Sequence, residues 1–204
     1  MEKSGSDRIT LSLTCPEHYH QIVKAEIIER VAEIIAISYK YEFFKNNLSV
    51  SGLNSTEREI LLASLISADL EEDKKYALDR LKNQTEFVID GFFSFRLKPL
   101  KAKWQDIVSY MPPCFISSQL KDFILYLLEH KRKRVYIDNG KVYDWHFRRL
   151  KKCSLLKGEQ VKILREVLLS GCGEVEIAGK VPQEDERYIK EYYGDKIFFS
   201  QGYY

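Results

Sequence analysis

Residues 134–145 read Arg-Val-Tyr-Ile-Asp-Asn-Gly-Lys-Val-Tyr-Asp-Trp. Val135 and Ile137 alternate with polar or aromatic neighbours before Asn139-Gly140, and Val142 continues the alternation after it, with Tyr143 or Trp145 next. Asn-Gly supplies the two positive-φ positions of a type I′ turn, so the stretch is a β-hairpin closed by a two-residue turn. Downstream, Glu174-Val-Glu-Ile-Ala178 reads as a short strand, Pro182 to Tyr193 as a polar helix closed by Gly194, and Lys196-Ile-Phe-Phe199 as a last strand. Strand, helix and strand with short links form a βαβ unit, which requires two parallel strands. Val175, Ile177, Ile197 and Phe199 are expected on its buried side, with Tyr188 and Tyr192, one turn apart, facing the sheet. Hairpin and βαβ unit together predict a mixed sheet.

Upstream the period changes from two to between three and four. Ile22, Ala25, Ile28 or Glu29, Ala32, Ile35 and Tyr39 predict a helix from Pro16 to near Tyr41, followed by a less regular stretch over 43–54. Ser55 offers an N-cap, with Thr56 and Glu59 at capping-box spacing, before an apolar run from Ile60 to Ile66. Tyr76, Ala77 and Leu81 mark a helix over 70–81. Pro99, at home in a first turn, opens a helix that Met111-Pro112-Pro113 stops; Gly91 to Lys98 stays open between strand and helix, with Asp90-Gly91 a hairpin signal. Ser117 or Ser118 starts another helix, burying Leu120, Phe123, Ile124, Leu127 and Leu128. Residues 158–170 form one more, with Val161, Leu164, Val167 and Leu168 on one face, and Arg8 to Thr14 alternates like a half-buried strand. The expected fold is α+β, one domain over 1–204, divisible into a mainly helical lobe (1–84) and a lobe holding the hairpin and βαβ unit (85–204).

With 204 residues, 45% hydrophobic and 30% charged, the chain can bury a sizeable core and is neither disordered nor collagen-like. No apolar run approaches the roughly 18 residues of a membrane span. The polar start, Met-Glu-Lys-Ser-Gly-Ser-Asp-Arg, predicts no secretory signal. Four cysteines, at 15, 114, 153 and 172, show no framework spacing, which points to reduced thiols and a cytoplasmic location.

The net charge of +2 conceals a strong asymmetry: 11 Lys/Arg against 16 Asp/Glu over 1–90, 15 against 5 over 91–157, and 6 against 9 over 158–204. The basic middle concentrates in Lys131-Arg132-Lys133-Arg134 and in Arg148, Arg149, Lys151 and Lys152. A two-residue turn brings both clusters to the open end of the hairpin, forming a candidate patch for an anionic partner. The bland alternative is a solvated face whose acidic complement lies in the flanking segments.

A catalytic constellation is not legible. Cys15 with His18 and His20 suggests a reactive thiol or metal corner, but histidines two apart point to different helix faces. Gly171-Cys-Gly173 precedes a strand, whereas a phosphate loop follows one; Ala178-Gly179-Lys180 lies in the right place but lacks the spacing, and Glu184-Asp185-Glu186 would repel a phosphate. No cofactor is expected.

Asp90-Gly-Phe-Phe-Ser-Phe-Arg-Leu-Lys98, then a helix, then Leu120-Lys-Asp-Phe-Ile-Leu-Tyr-Leu-Leu128, resembles the YtxC-like sporulation proteins. The likeness rests on Gly91, Phe92, Phe95, Arg96, Leu97 and Lys98, and on Phe123, Ile124 and Leu127. The chain departs from the family pattern at Pro99 and again at Met111-Pro112-Pro113-Cys114. The resemblance implies a cytoplasmic, non-enzymatic protein of spore-forming, low-GC Gram-positive bacteria, acting through an unidentified protein partner. A different reading comes from Tyr136, Tyr143, Trp145 and Phe147, interleaved with Lys and Arg: a nucleic-acid-binding surface over 131–152.

Overall fold

A computed structural model describes residues 15–82 and 96–200. Two expectations lie outside those residues: the strand from Arg8 to Thr14 and the Asp90-Gly91 turn, with Gly91, Phe92 and Phe95 of the family stretch. The fold is α+β, mostly helical, with a four-stranded mixed sheet.

A single turn at Glu17–Tyr19 leads into α1 (His20–Ile34), a π-helical turn (Ile35–Tyr39) and α2 (Lys40–Asn47) without a break. The helix thus runs six residues past Tyr41. The wider π turn re-phases the buried stripe, so Ile35, Ala36 and Ile37 are all inside and, after it, Lys40, Tyr41 and Phe44 face the core. Ile22 and Ala25, expected inward, are exposed. Beyond Asn47 the chain pairs with the segment after the double proline: the Ser51 amide donates to the Pro113 carbonyl and the Phe115 amide to the Ser51 carbonyl.

Helix α3 (Ser55–Ala68) is capped one residue earlier than expected. Asn54 Oδ1 accepts the Glu57 amide and Glu57 Oε2 accepts the Asn54 amide, both at 2.9 Å. Thr56 and Glu59 have the same three-residue spacing, but Thr56 lies inside the helix and Glu59 is taken by Arg165 and Tyr41. Helix α4 (Leu70–Leu81) follows after one residue; α5 (Lys98–Tyr110) carries Pro99 in its first turn, and α6 (Ser117–Leu128) follows the prolines.

The hairpin is β1 (Arg134–Asp138) and β2 (Lys141–Tyr143), with Asp138 opposite Lys141. Asn139 (φ 45°) and Gly140 (φ 72°) occupy its two-residue turn. Helix α7 (Lys162–Ser170) begins later than expected because Val161 is left-handed, at φ 39°. The carbonyls of Lys157 and Gly158, which a longer helix would use internally, accept instead from the Arg165 guanidinium at 3.1 and 2.7 Å. The amide of Leu164, in the first turn, donates to Asp185 of the last helix at 2.8 Å.

Strand β3 (Glu174–Ile177), helix α8 (Gln183–Tyr193) and strand β4 (Ile197–Phe199) form the βαβ unit, and β3 pairs parallel with both β1 and β4. The strand order is β2-β1-β3-β4. Val135, Ile137, Val142, Val175 and Ile177 are buried, and Tyr188 and Tyr192 stack within the core. Ile197 is only half-buried and Phe199 is 64% exposed, contrary to expectation. Among the described residues β4 is the edge strand, so no neighbour flanks Phe199 on its outer side.

One apolar cluster draws on every helix from α1 to α8 and on β1, β2 and β3. Two charged networks are built into it. Lys40, fully buried, pairs with Asp69 and with Asp73 at 2.7 Å; Asp73 also accepts Lys103 and Trp104 Nε1 at 2.8 Å each. Burial disfavours the Lys103 charge, but bonds from Asp69 and Asp73 outweigh it and hold the ammonium above its ordinary range. Arg165, also fully buried, pairs with Glu59 at 2.8 Å, and the Tyr41 hydroxyl shares the same carboxylate. No described helix is long and apolar enough to cross a membrane.

Candidate anionic-partner interface

Side chains alternate across the sheet, so burying Val135, Ile137, Val142, Val175 and Ile177 turns Arg134, Tyr136, Tyr143, Glu174, Glu176 and Phe198 to the other face. The pairing registers align four of these positions, with Arg149, in one transverse row. Arg149 is opposite Tyr143, Tyr143 opposite Tyr136, Tyr136 opposite Glu176, and Glu176 opposite Phe198. At about 4.8 Å per strand step the row spans roughly 19 Å. Tyr136, Tyr143 and Glu176 are half-buried, and Arg149 and Phe198 are exposed.

The segment after β2 builds onto this row. Asp144 Oδ1 accepts the amides of His146 and Arg148 at 2.9 Å, and Oδ2 accepts Arg148 Nε at 3.0 Å. Burial raises the Asp144 carboxyl, but these bonds outweigh it and hold its pKa below the ordinary value. The turn they tie forces Phe147 to φ 59° and lays its ring on Tyr136, with centroids 4.7 Å apart and planes at 27°. The chain then returns beside β2, the Leu150 amide donating to the Val142 carbonyl at 2.8 Å. The strands expected over 134–147 therefore end at Tyr143, and Trp145 and Phe147 belong to a turn.

At the start of β1 the lysine-rich segment is fixed by backbone contact. The Gly173 and Glu174 amides both donate to the Lys133 carbonyl, and a Cβ on Gly173 would stand 2.2 Å from the Lys131 carbonyl oxygen. Only glycine permits that approach. Since Tyr136 lies opposite Tyr143, the beginning of β1 and the 144–148 turn share one end of the hairpin. Residues 131–133 and Arg148 flank that end, with Arg149 one step inward.

The eight basic positions differ in what they have left to offer. Arg134 is committed: Nε bonds Glu174 at 3.0 Å, Nη1 bonds Glu176 at 3.1 Å, and the guanidinium carbon sits 3.9 Å from the centre of the Phe198 ring. Arg148 is held by Asp144. Lys152 turns away, reaching Glu71 and the Leu169 carbonyl at 3.5 and 3.2 Å. Lys131, Arg132, Lys133, Arg149 and Lys151 are exposed, and among the described residues none takes part in an ion pair. The sequence missed the carboxylates of Glu174 and Glu176, which strand alternation places beneath Arg134 once the parallel pairing is known, and missed Phe198 as an outward ring.

Other expected sites resolve differently. Cys153 and Cys172 are buried, and burial pushes the Cys153 thiol up to about 11 and raises Cys172. His20 Nε2 bonds the Cys15 carbonyl at 3.0 Å. Asp138 and Asn139 crowd Gly179, and the Lys180 carbonyl accepts the Gly140 amide, so that βα turn is pinned to the hairpin. Of the family stretch, Leu97 is buried, while Arg96 and Lys98 are exposed at the entry to α5. A cleft of about 450 Å³ opens beside α3, between Phe44, Lys45, Arg58, Glu59, Leu62 and Gln160; its one carboxylate, Glu59, is already bound to Arg165 and Tyr41. No family model, curated protein or solved structure matches this chain.

Proposed function

We propose that this chain is a non-enzymatic binding protein that holds an anionic partner on the outer face of its sheet. The observation that carries this is the convergence of exposed, unpaired cations from two separate segments, 131–133 and 149, on one end of a sheet whose other face is packed into the core. Charges placed this way add little to stability and much to association. The direct test is fluorescence anisotropy with a labelled heparin dodecasaccharide at 50 and 200 mM salt. Binding is expected to weaken with salt and to disappear in Arg132→Glu/Arg149→Glu, a variant that leaves both the Asp144–Arg148 turn and the Arg134–Glu174 pair intact. Absence of binding at 50 mM salt, to heparin and to nucleic acid alike, would reduce the patch to a solvated face.

The likeness of residues 90–98 and 120–128 to the YtxC-like proteins supports placing this activity in the cytoplasm during endospore formation. A strain lacking the gene should yield fewer heat-resistant spores than its parent; equal counts would remove that placement.

A further inference from the structure

Resting on that reading, we infer that the anionic partner is a single-stranded nucleic acid, its bases stacked on the Tyr136–Phe147 pair and on Phe198, its phosphates held by residues 131–133 and Arg149. The charge layout of the face selects this partner. The centre of the face is aromatic and acidic: Tyr136 lies between Tyr143 and Glu176, with Glu174 on the same strand as Glu176 and Arg134 bridging both carboxylates. The free cations stand at the margin. An acidic protein surface laid across such a face would set its carboxylates against Glu174 and Glu176. A nucleic acid divides its chemistry in the matching way, with charge confined to the backbone and neutral rings in the interior of the contact. Those rings stack on aromatic side chains, and the amino groups of cytosine and adenine donate to carboxylates.

Strandedness follows from geometry. The rings lie on a pleated surface roughly 19 Å across, where they reach only bases that are already unstacked from a partner strand. A duplex keeps its rings inside and admits a helix or a narrow ribbon into a groove, and this face is neither. Phe147 is 69% exposed although its ring is fixed on Tyr136, and Phe198 is 39% exposed with the Arg134 guanidinium against it. Each ring already rests against a neighbouring side chain in the free protein, which limits the conformational freedom lost when a base stacks on it.

The test uses the whole chain and three labelled probes at 50 mM salt: a mixed-sequence 12-nucleotide single strand (as RNA and as DNA), the same strand annealed to its complement, and the heparin dodecasaccharide. The single strand should bind more tightly than the other two. Stacking contributes about 5- to 150-fold per base, so Phe147→Ala/Phe198→Ala should weaken single-strand binding at least about 10-fold and leave heparin binding unchanged. Arg132→Glu/Arg149→Glu should weaken both. The four cations named predict a salt slope of about −2.8, or roughly a 50-fold loss between 50 and 200 mM. If the aromatic variant binds the single strand as well as the wild type, or if heparin or duplex binds as tightly, this inference is overturned while the anionic-partner reading stands. If no probe binds at 50 mM salt, both fall. Thermal melting of each variant checks that exposed-ring truncation has left the fold intact.

Discussion

Asp73 is the residue on which the helical half of the core should prove most sensitive. It is 1% exposed and accepts from three donors: Lys40 Nζ, Lys103 Nζ and Trp104 Nε1. With Asp69 the buried part of the network is two cations and two carboxylates, neutral overall, while Glu72, 80% exposed, reaches Lys103 from the rim at 3.5 Å. Replacing Asp73 by Asn preserves volume and an acceptor for Trp104 but leaves the site with one excess positive charge. Lys103, whose side chain is 39% exposed, can turn toward water; Lys40, at 0%, cannot. The penalty therefore falls on Lys40, and breaking a buried pair from one side costs about 3–5 kcal/mol. That is a large part of the roughly 5–15 kcal/mol available to a folded domain. For a chain of this size it corresponds to a Tm lower by about 6–20 °C. Urea unfolding followed by tryptophan fluorescence, which reports on Trp104, gives the free energy directly. Adding Lys40→Met to Asp73→Asn removes the stranded cation and should restore at least about 2 kcal/mol, since hydrophobic replacement of a buried pair is often neutral. A loss below about 1 kcal/mol for Asp73→Asn, or a double variant no more stable than the single one, would refute the reasoning.

Other consequences follow from burial and close approach. Gly173→Ala drives a methyl into the Lys131 carbonyl and should cost about 3 kcal/mol in thermal or urea unfolding; a wild-type Tm would mean that the 131–133 segment is not anchored there. Cys114 is exposed, whereas Cys153, its thiol pushed up to about 11, and Cys172 are buried. At pH 8 a disulfide reagent should modify Cys114 rapidly and Cys153 and Cys172 only on unfolding, which Cys→Ser variants read out one at a time. Burial raises the carboxyls of Asp185 and Glu166, so the folded chain binds more protons than the unfolded chain just above the ordinary carboxylate range, and their contribution to stability falls as pH rises through that window. Asp185→Asn keeps a carbonyl for the Leu164 amide and should flatten that part of the stability–pH curve; an unchanged slope would count against it.

The sheet was legible because its signals are local and redundant. Alternation over 134–145 and the Asn-Gly turn specify the hairpin within the stretch itself, and the parallel pairing of β3 with β4 follows from a helix joined to them by links of five and three residues. The helical half was legible in period but not in phase. The π turn at Ile35–Tyr39 inserts its extra residue without Pro, Gly or any compositional mark, so the stripe beyond it could not be followed, and nothing in the sequence marks Lys40 as buried. Nothing marks Arg165 either. It lies off the apolar face defined by Val161, Leu164, Val167 and Leu168, yet it is buried because α3 packs on that side and supplies Glu59. A buried charge becomes visible only when its partner is brought in, and here the partner lies 106 residues away.

The same limit explains why the two basic runs do not reveal which of their members are already paired. Sequence places eight cations in two runs, and the hairpin brings the runs together; nothing in either run says which members are spent. Parallel pairing with β3 sets Glu174 beside Arg134 and Glu176 beside Tyr136, so the carboxylates that neutralise Arg134 come from a strand 40 residues downstream. Asp144, within the second run, takes Arg148, and Glu71, in another helix, takes Lys152. Those three pairings convert a band of positive charge into a margin of free cations around an acidic, aromatic centre. Reversing the sign of that centre would discriminate its role from that of the margin. Glu176→Lys places a cation in the middle of the row, opposite Tyr136, where attraction of sulfate groups should raise heparin affinity while displacing the Arg134 guanidinium from its place against Phe198. A face that reads only charge would bind every polyanion better after this change. A face that reads bases should gain on heparin and lose its preference for the single strand.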